Sequence, residues 1–279
     1  MRKDSIKGEN NLSTQIVGRV AALYRFPVKS MRGESLSTAR VLYTGLEGDR
    51  RFGFLRLKNR TRFPWLTGRQ VQEMLQYSPE HDDPTHPATS PVWVRTPDGN
   101  ILPIESEELR LDLEERAGEP VHLLHLGKGA HDSLTLSVLS TSALCTLSGY
   151  AGFPLTPERF RPNILVDTGE ADGFPEDEWV GGELVFGNRA DSAHISVVRP
   201  IERCMMINLD PETARQNPNK WERSRLATRS PSYKFFTSHF SPLTFHCPLP
   251  THHFPQLPRP FQNPIRSGAL QLWPLTKAA

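Results

Sequence analysis

The chain has 279 residues, 37% of them hydrophobic and 23% charged, with a formal net charge of +2, which is enough for a substantial core in one or two domains. No run of about 18 apolar residues occurs, and the polar stretch 1–14 has no apolar h-region; a membrane-spanning helix and a secretory signal are both excluded as readings. Residues 221–279 carry seven Lys or Arg and one acid, so this segment is +6 and the rest −4, but the charges are scattered and no nucleic-acid partner is expected.

Residues 1–15 read as a disordered leader. Near-alternating apolar positions in IVGRVAALYRF (16–26) predict a strand ended by Pro27. TARVLY (38–43) predicts a second strand, and RFGFLRL (51–57) a third with a turn at Lys58-Asn59. VWVRT (92–96) and ILPI (101–104) flank Asp98-Gly99, a hairpin signal because both residues tolerate positive φ. In ELRLDLEERAG (108–118), Leu109, Leu113 and Ala117 fall four apart and Gly118 can end the short amphipathic helix they predict. VHLLHL (121–126) returns to strand. Ser140 can cap a helix with Ala143, Leu144 and Leu147 on one face, ended by Gly149. NILVD (163–167), ELVFG (183–187) and HISVV (194–198) predict strands, and MMINL (205–209) is a further candidate before the turn Asp210-Pro211. Asp172, Glu176, Asp177 and Glu178 read as a solvated acidic turn with Trp179 packed inward. Seven prolines between Pro242 and Pro264 predict that 221–279 is largely irregular.

Strands outnumber helices, and the parallel βαβ rhythm is not seen. The expected fold is a β-rich α+β chain, antiparallel or mixed and barrel-like, with few short helices. There is no internal repeat, and a soft boundary lies near 127–131. The units expected are therefore 16–127 and 128–220, followed by the Pro-rich basic tail.

The three cysteines, Cys145, Cys204 and Cys247, are odd in number and far apart, which points away from disulfides and toward a reducing, cytoplasmic setting. No CxxC pair supports a structural zinc site. Cys145 reads as core and Cys247 as incidental. Cys204 follows a predicted strand and adjoins Arg203, a cation that favours thiolate; it reads either as a soft metal ligand or as a buried core thiol. Lys29 and Ser30 follow a strand and a proline, where a cation and a hydroxyl can hold an anion or simply face solvent. Arg50 and Arg51 precede an alternating strand, so one should point inward and need an anion or partner. Arg161 and Asn163 repeat the theme of cation, rigid turn and amide. His122 and His125 should project to opposite faces of their strand, which argues against a shared metal.

The ordered motifs YRFPVKS, GLEGDRRF, LTGRQ, LSTSAL, RFRPNILV, EDEWVGGELVFG, PIERC and DPET, over about residues 16–218, resemble MOSC-domain proteins with an N-terminal MOSC β-barrel domain. That group includes the mitochondrial amidoxime-reducing component and its bacterial relatives. The resemblance implies a molybdenum–pterin cofactor, with Cys204 as the catalytic residue that ligates molybdenum or carries sulfur. It implies that Lys29 and Ser30 contact the pterin phosphate, that Arg50 (or Arg51) adds a contact, and that Arg161 and Asn163 cradle the pterin. Ser133 aligns with a cofactor-side Ser or Thr. Thr67, Arg69 and Gln70 match a motif that either lines the pocket or packs beside it.

The activity so implied is reduction of a small N-oxygenated substrate, such as a hydroxylamine or amidoxime. The electrons would come from an external donor: a cytochrome b5-like protein, a ferredoxin or a flavoprotein reductase. No plant-type CxxxxCxxC iron–sulfur pattern is present in the chain. Two alternatives stand beside it: a sulfur carrier using a Cys204 persulfide, and a cofactor-binding protein without activity. Pyridoxal phosphate binding is a further association of the group. The family's Gly-rich closing hairpin, of the form GxYGxVxxxGxIxxGD, is absent here and the Pro-rich tail takes its place, so altered closure of the fold is expected.

Overall fold

Apolar alternation from Val17 to Leu23 builds one long strand, β1 (Thr14–Arg25), the spine of the largest sheet. The computed structural model describes residues 14–188, 192–201 and 203–216, together with the backbone of 274–278. Across β1 lie β2 (Glu34–Leu36) and β11 (Ile164–Asp167), both antiparallel to it. Beyond β11, β10 (Val138–Ser140) runs parallel. On the other side, β14 (Pro274–Ala278) joins β1 to β12 (Glu183–Phe186), and β13 (Ala193–Ser196) forms the edge.

Three smaller sheets make up most of the N-terminal half. They are β3 (Val41–Leu42) with β4 (Gly45–Leu46), β5 (Phe52–Arg56) with β9 (Val121–His125), and the meander β6 (Ser78–His81), β7 (Val92–Arg95), β8 (Ile101–Pro103). The Asp-Gly hairpin joins β7 to β8 as expected, with Gly99 at φ 90°. Among the described residues the α-helices are α1 (Glu107–Ala117), α2 (Thr141–Ala151) and α3 (Pro157–Phe160). The chain is thus a strand-rich α+β fold, and its sheets do not close into a single ladder among the described residues. No described helix is long and apolar enough to cross a membrane.

The N-terminal core gathers Val28, Met31, Phe54, Leu66, Met74, Tyr77, Leu109 and Leu113. A second core sets α2 (Ala143, Leu144, Leu147) against Tyr24, Phe26, Phe160 and Ile207. Phe26 belongs to one core and Val28 to the other. The short loop after β1 is therefore clamped between them, and Lys29 and Ser30 are fixed at the junction.

Several expectations are corrected. Ser140 caps α2 by accepting from the Ala143 N–H at 2.9 Å, but the helix runs past Gly149 and ends at Gly152, whose φ of 74° suits a left-handed cap. Residues 205–208 form a 3₁₀ turn (Met205–Asn208) rather than a strand, because Arg159 takes up the carbonyls of Ile207 and Leu209 at 3.3 and 2.7 Å. Of 38–43 only Val41–Leu42 is strand. One parallel unit, β10–α2–α3–β11, does exist. Glu176 is half-buried rather than solvated: Ser140 Oγ donates to its Oε2 at 2.6 Å. Within the expected irregular tail, 274–278 pairs on both sides as β14. The Pro242–Pro264 stretch and Cys247 lie outside the described residues.

Candidate functional site

Three loops bring cations together where the two cores meet. In the first, Lys29 N–H donates to the Phe52 carbonyl at 2.8 Å, and Ser30 takes a φ of 67°. The Lys29 ammonium donates to the Ala130 carbonyl at 2.8 Å and to the Asp132 carboxylate, beneath the Phe63 and Trp65 rings. In the second loop, Asp49 is fully enclosed. Its Oδ1 accepts from the Phe26 N–H at 2.8 Å, and its Oδ2 pairs with the Arg50 guanidinium. In the third, Arg161 ends α3 and donates through Nη1 to the Met31 carbonyl at 2.5 Å.

Backbone strain marks the same positions. Four non-glycine residues have positive φ among those described: Ser30 (67°), Arg50 (51°), Arg161 (54°) and Ala214 (56°). Left-handed backbone costs a side-chain-bearing residue roughly 1 kcal/mol. Three of the four sit one in each cationic loop, and such strain tends to collect at functional sites.

Asn163 locks the loops to the large sheet. Its Oδ1 accepts from the Ser137 N–H at 3.1 Å, and its Nδ2 donates to the Tyr24 carbonyl at 3.2 Å. Arg203 donates to the Phe160 carbonyl at 2.9 Å and lies over the Phe160 ring. Cys204 follows it, half-buried, at the start of the 3₁₀ turn.

The electrostatics are those of crowded cations. Burial, then Arg50, pull the Arg161 guanidinium down to about 9, while the Cys204 sulfur acts in the opposite direction. Burial also lowers Lys29, against the opposing pull of Asp132, and lowers Arg203, against the pull of Cys204. His131 is lowered by burial and by Arg50, and so favours neutral imidazole. Burial raises Glu176. Two buried nitrogens in this region, Arg161 Nη2 and His131 Nε2, have no hydrogen-bond partner among the described residues.

The expected site residues do not all converge. Lys29, Ser30, Arg50, Arg161 and Asn163 lie in the joined loops, with Cys204 beside Arg161 and Arg203. The Arg51 side chain leaves them and donates to the Leu126 carbonyl at 2.8 Å. Ser133 is exposed and accepts from Arg199 at 2.8 Å. Thr67 and Gln70 bond each other, and Arg69 lies over Phe63. His122 and His125 are both exposed. Asp49, His131 and Asp132 were not anticipated; their only signals were the acid inside GDRR and the break in pattern at LGKGAHD.

A buried cation with an orphaned nitrogen, further cations in excess of carboxylates, and a half-buried thiol form a donor set that fits an anionic cofactor with a thiolate-bound metal. No group of three or more His, Cys, Asp or Glu that could hold a metal by themselves occurs among the described residues.

Comparison with known families gives two matches. Residues 17–117 match the MOSC N-terminal beta barrel domain, and residues 128–241 match the MOSC domain, which is associated with molybdenum cofactor binding. No curated protein matches the chain. The chain belongs to the MOSC-domain family, with an N-terminal MOSC β-barrel domain ahead of the MOSC domain.

Proposed function

We propose that the chain holds a molybdenum–pterin cofactor through Cys204 and reduces N-oxygenated substrates such as hydroxylamines and amidoximes. One observation carries the reading: the buried Arg161 Nη2 has no hydrogen-bond partner among the described residues, while its guanidinium shares the Phe26 ring with that of Arg50. Lys29, Ser30, Arg50 and Arg161 would hold the anionic part of the cofactor, Asn163 would keep their loops in register, and Cys204 would supply the soft ligand. Arg161 and Arg203 place positive charge near its sulfur. Ser133, next to Asp132, is assigned to the mouth of the site.

When bound, the group supplies oxygen removal from nitrogen, with electrons from an external protein donor. For a hydroxylamine the balance is R–NHOH plus two electrons and two protons, giving R–NH2 and water. A reducing, cytoplasmic setting suits a site that works through the Cys204 thiol. The test is turnover of an amidoxime by cofactor-loaded protein with reduced methyl viologen. Amidine formation is expected, and its absence from fully loaded protein contradicts the reading.

A second reading draws on the same pair of guanidiniums, which would stabilise a Cys204 persulfide equally well. Intact mass of metal-free protein distinguishes it, through an added sulfur atom that Cys204→Ala abolishes.

A further inference from the structure

Residues 51–72 contain Arg51, Arg56, Lys58, Arg60, Arg62 and Arg69 and no acid. The centre of this run is the turn after β5. It borders a surface hollow of about 470 Å³ lined by Arg56, Lys58, Asn59, Arg60, Thr61 and Glu119. The single acid there is already committed, since Arg56 Nε donates to Glu119 at 2.6 Å. Lys58, Arg60 and Arg62 are exposed, and no ion pair among the described residues involves them.

The tip has a defined shape. Asn59 Oδ1 accepts from the Thr61 N–H at 2.9 Å, Asn59 Nδ2 donates to the Phe63 carbonyl at 3.0 Å, and Thr61 Oγ1 accepts from the Phe63 N–H at 3.2 Å. Three cations are therefore presented on a preformed surface, which lowers the ordering cost of binding.

The same segment runs directly into the candidate site. The Phe63 and Trp65 rings lie 5.4 and 5.8 Å from the Lys29 ammonium. Three residues on, Gly68 packs so closely on Met206 that a Cβ there would fall 2.6 Å from the Met206 Cε. Met206 is two residues from Cys204. The segment thus runs from an exposed basic tip to Lys29 and to Met206, close in the chain to Cys204.

We propose that this tip is the docking surface for an electron-transfer protein with an acidic face. The inference rests on the reductase reading above. Per hydroxylamine reduced, two one-electron donors are oxidised, two protons are taken up and water leaves. The site needs a donor brought close, and complementary charge supplies speed and register. The cations form one compact tip rather than an extended stripe, which suits a protein patch better than a phosphate backbone.

The test compares the parent with the triple variant Lys58→Glu, Arg60→Glu, Arg62→Glu, and with the matching Gln triple. The probes are two acidic proteins, a plant-type [2Fe–2S] ferredoxin and a cytochrome b5 haem domain, with reduced methyl viologen as the small donor. Viologen-supported turnover should stay within about twofold, while KM for at least one protein donor rises about tenfold or more in the Glu triple and less in the Gln triple. The parent rate with that donor should fall with salt, and the Glu triple should lose the dependence.

Equal losses with viologen and protein donors would assign the tip a structural role and overturn the proposal. So would unchanged protein-donor kinetics. Direct titration of each donor onto the parent separates the two readings if no turnover occurs. Salt-sensitive binding lost in the Glu triple retains the surface; no binding, or equal binding of a single-stranded oligonucleotide, overturns it.

Discussion

Arg50 and Arg161 share the Phe26 ring, with guanidinium carbons 4.9 and 4.2 Å from its centroid, and Arg50 Nη2 donates to the Arg161 carbonyl at 3.3 Å. Two like charges over one ring repel, and Asp49 offsets only part of that repulsion. The arrangement stores unfavourable electrostatics that an anion would relieve.

Arg161→Met tests this stored cost. Removing a buried, incompletely bonded cation in favour of an apolar chain of similar volume is often neutral or stabilising, although the Met31 carbonyl loses its donor. Stability should fall by no more than about 1 kcal/mol, while cofactor retention is lost. A melting curve with elemental analysis of the same sample checks both. A large drop in melting temperature would show that Arg161 serves the fold rather than a ligand.

Glu176 bears on pH. Burial raises its carboxyl above the ordinary value of 4.5, so over the range just above 4.5 the folded chain keeps a proton that the unfolded chain has lost. Its contribution to stability is then greatest at low pH and declines as pH rises through the folded value. Glu176→Gln, which retains an acceptor for Ser140, should melt at or above the parent at pH of about 8, with the gap closing toward 4.5. Melting scans across that range would contradict this if the variant were weaker at the alkaline end.

His131 has the opposite sign. Its proton affinity is lowered from an ordinary 6.5, so below that pH the unfolded chain binds a proton that the folded chain refuses. Stability due to His131 is present above 6.5 and is lost as pH falls below it. His131→Asn should flatten the decline in melting temperature between about 6.5 and 5. An unchanged slope would remove His131 from the explanation.

β14 tests the C-terminal segment. It is the strand between β1 and β12, so deleting 274–279 opens both edges. At about 1 kcal/mol per ladder hydrogen bond, the loss should reach at least about 3 kcal/mol. Hydrogen exchange should rise at Glu183–Phe186 and Thr14–Arg19. Unchanged protection there would mean that β14 contributes nothing to closure.

The parts legible in the sequence were those governed by local chemistry. Asp98-Gly99 demanded a hairpin, Ser140 could cap a helix, and Gly118 could end one, and the chain obeys each. The apolar run 205–209 was ambiguous by periodicity alone; Arg159, from about 50 residues away, decided it by binding the Ile207 and Leu209 carbonyls. The choice between Arg50 and Arg51 also exceeded local pattern, because a strand's alternation says only that one points inward. The left-handed φ at Arg50 turns that side chain toward Asp49 and Arg161. Asp49, His131 and Asp132 join the site only through contacts across the chain, which no spacing rule encodes. β14 has no local signature of its own: it opens on Pro274, and its order comes from pairing with β1 and β12, which lie far from it in the chain.

The most direct measurement is the molybdenum content of protein purified from a cofactor-competent host, by elemental mass spectrometry, alongside Cys204→Ser. Near-stoichiometric molybdenum in the parent and its loss in a variant that melts normally is the predicted result. Metal-free parent, or equal metal in both proteins, would contradict a cofactor held by Cys204.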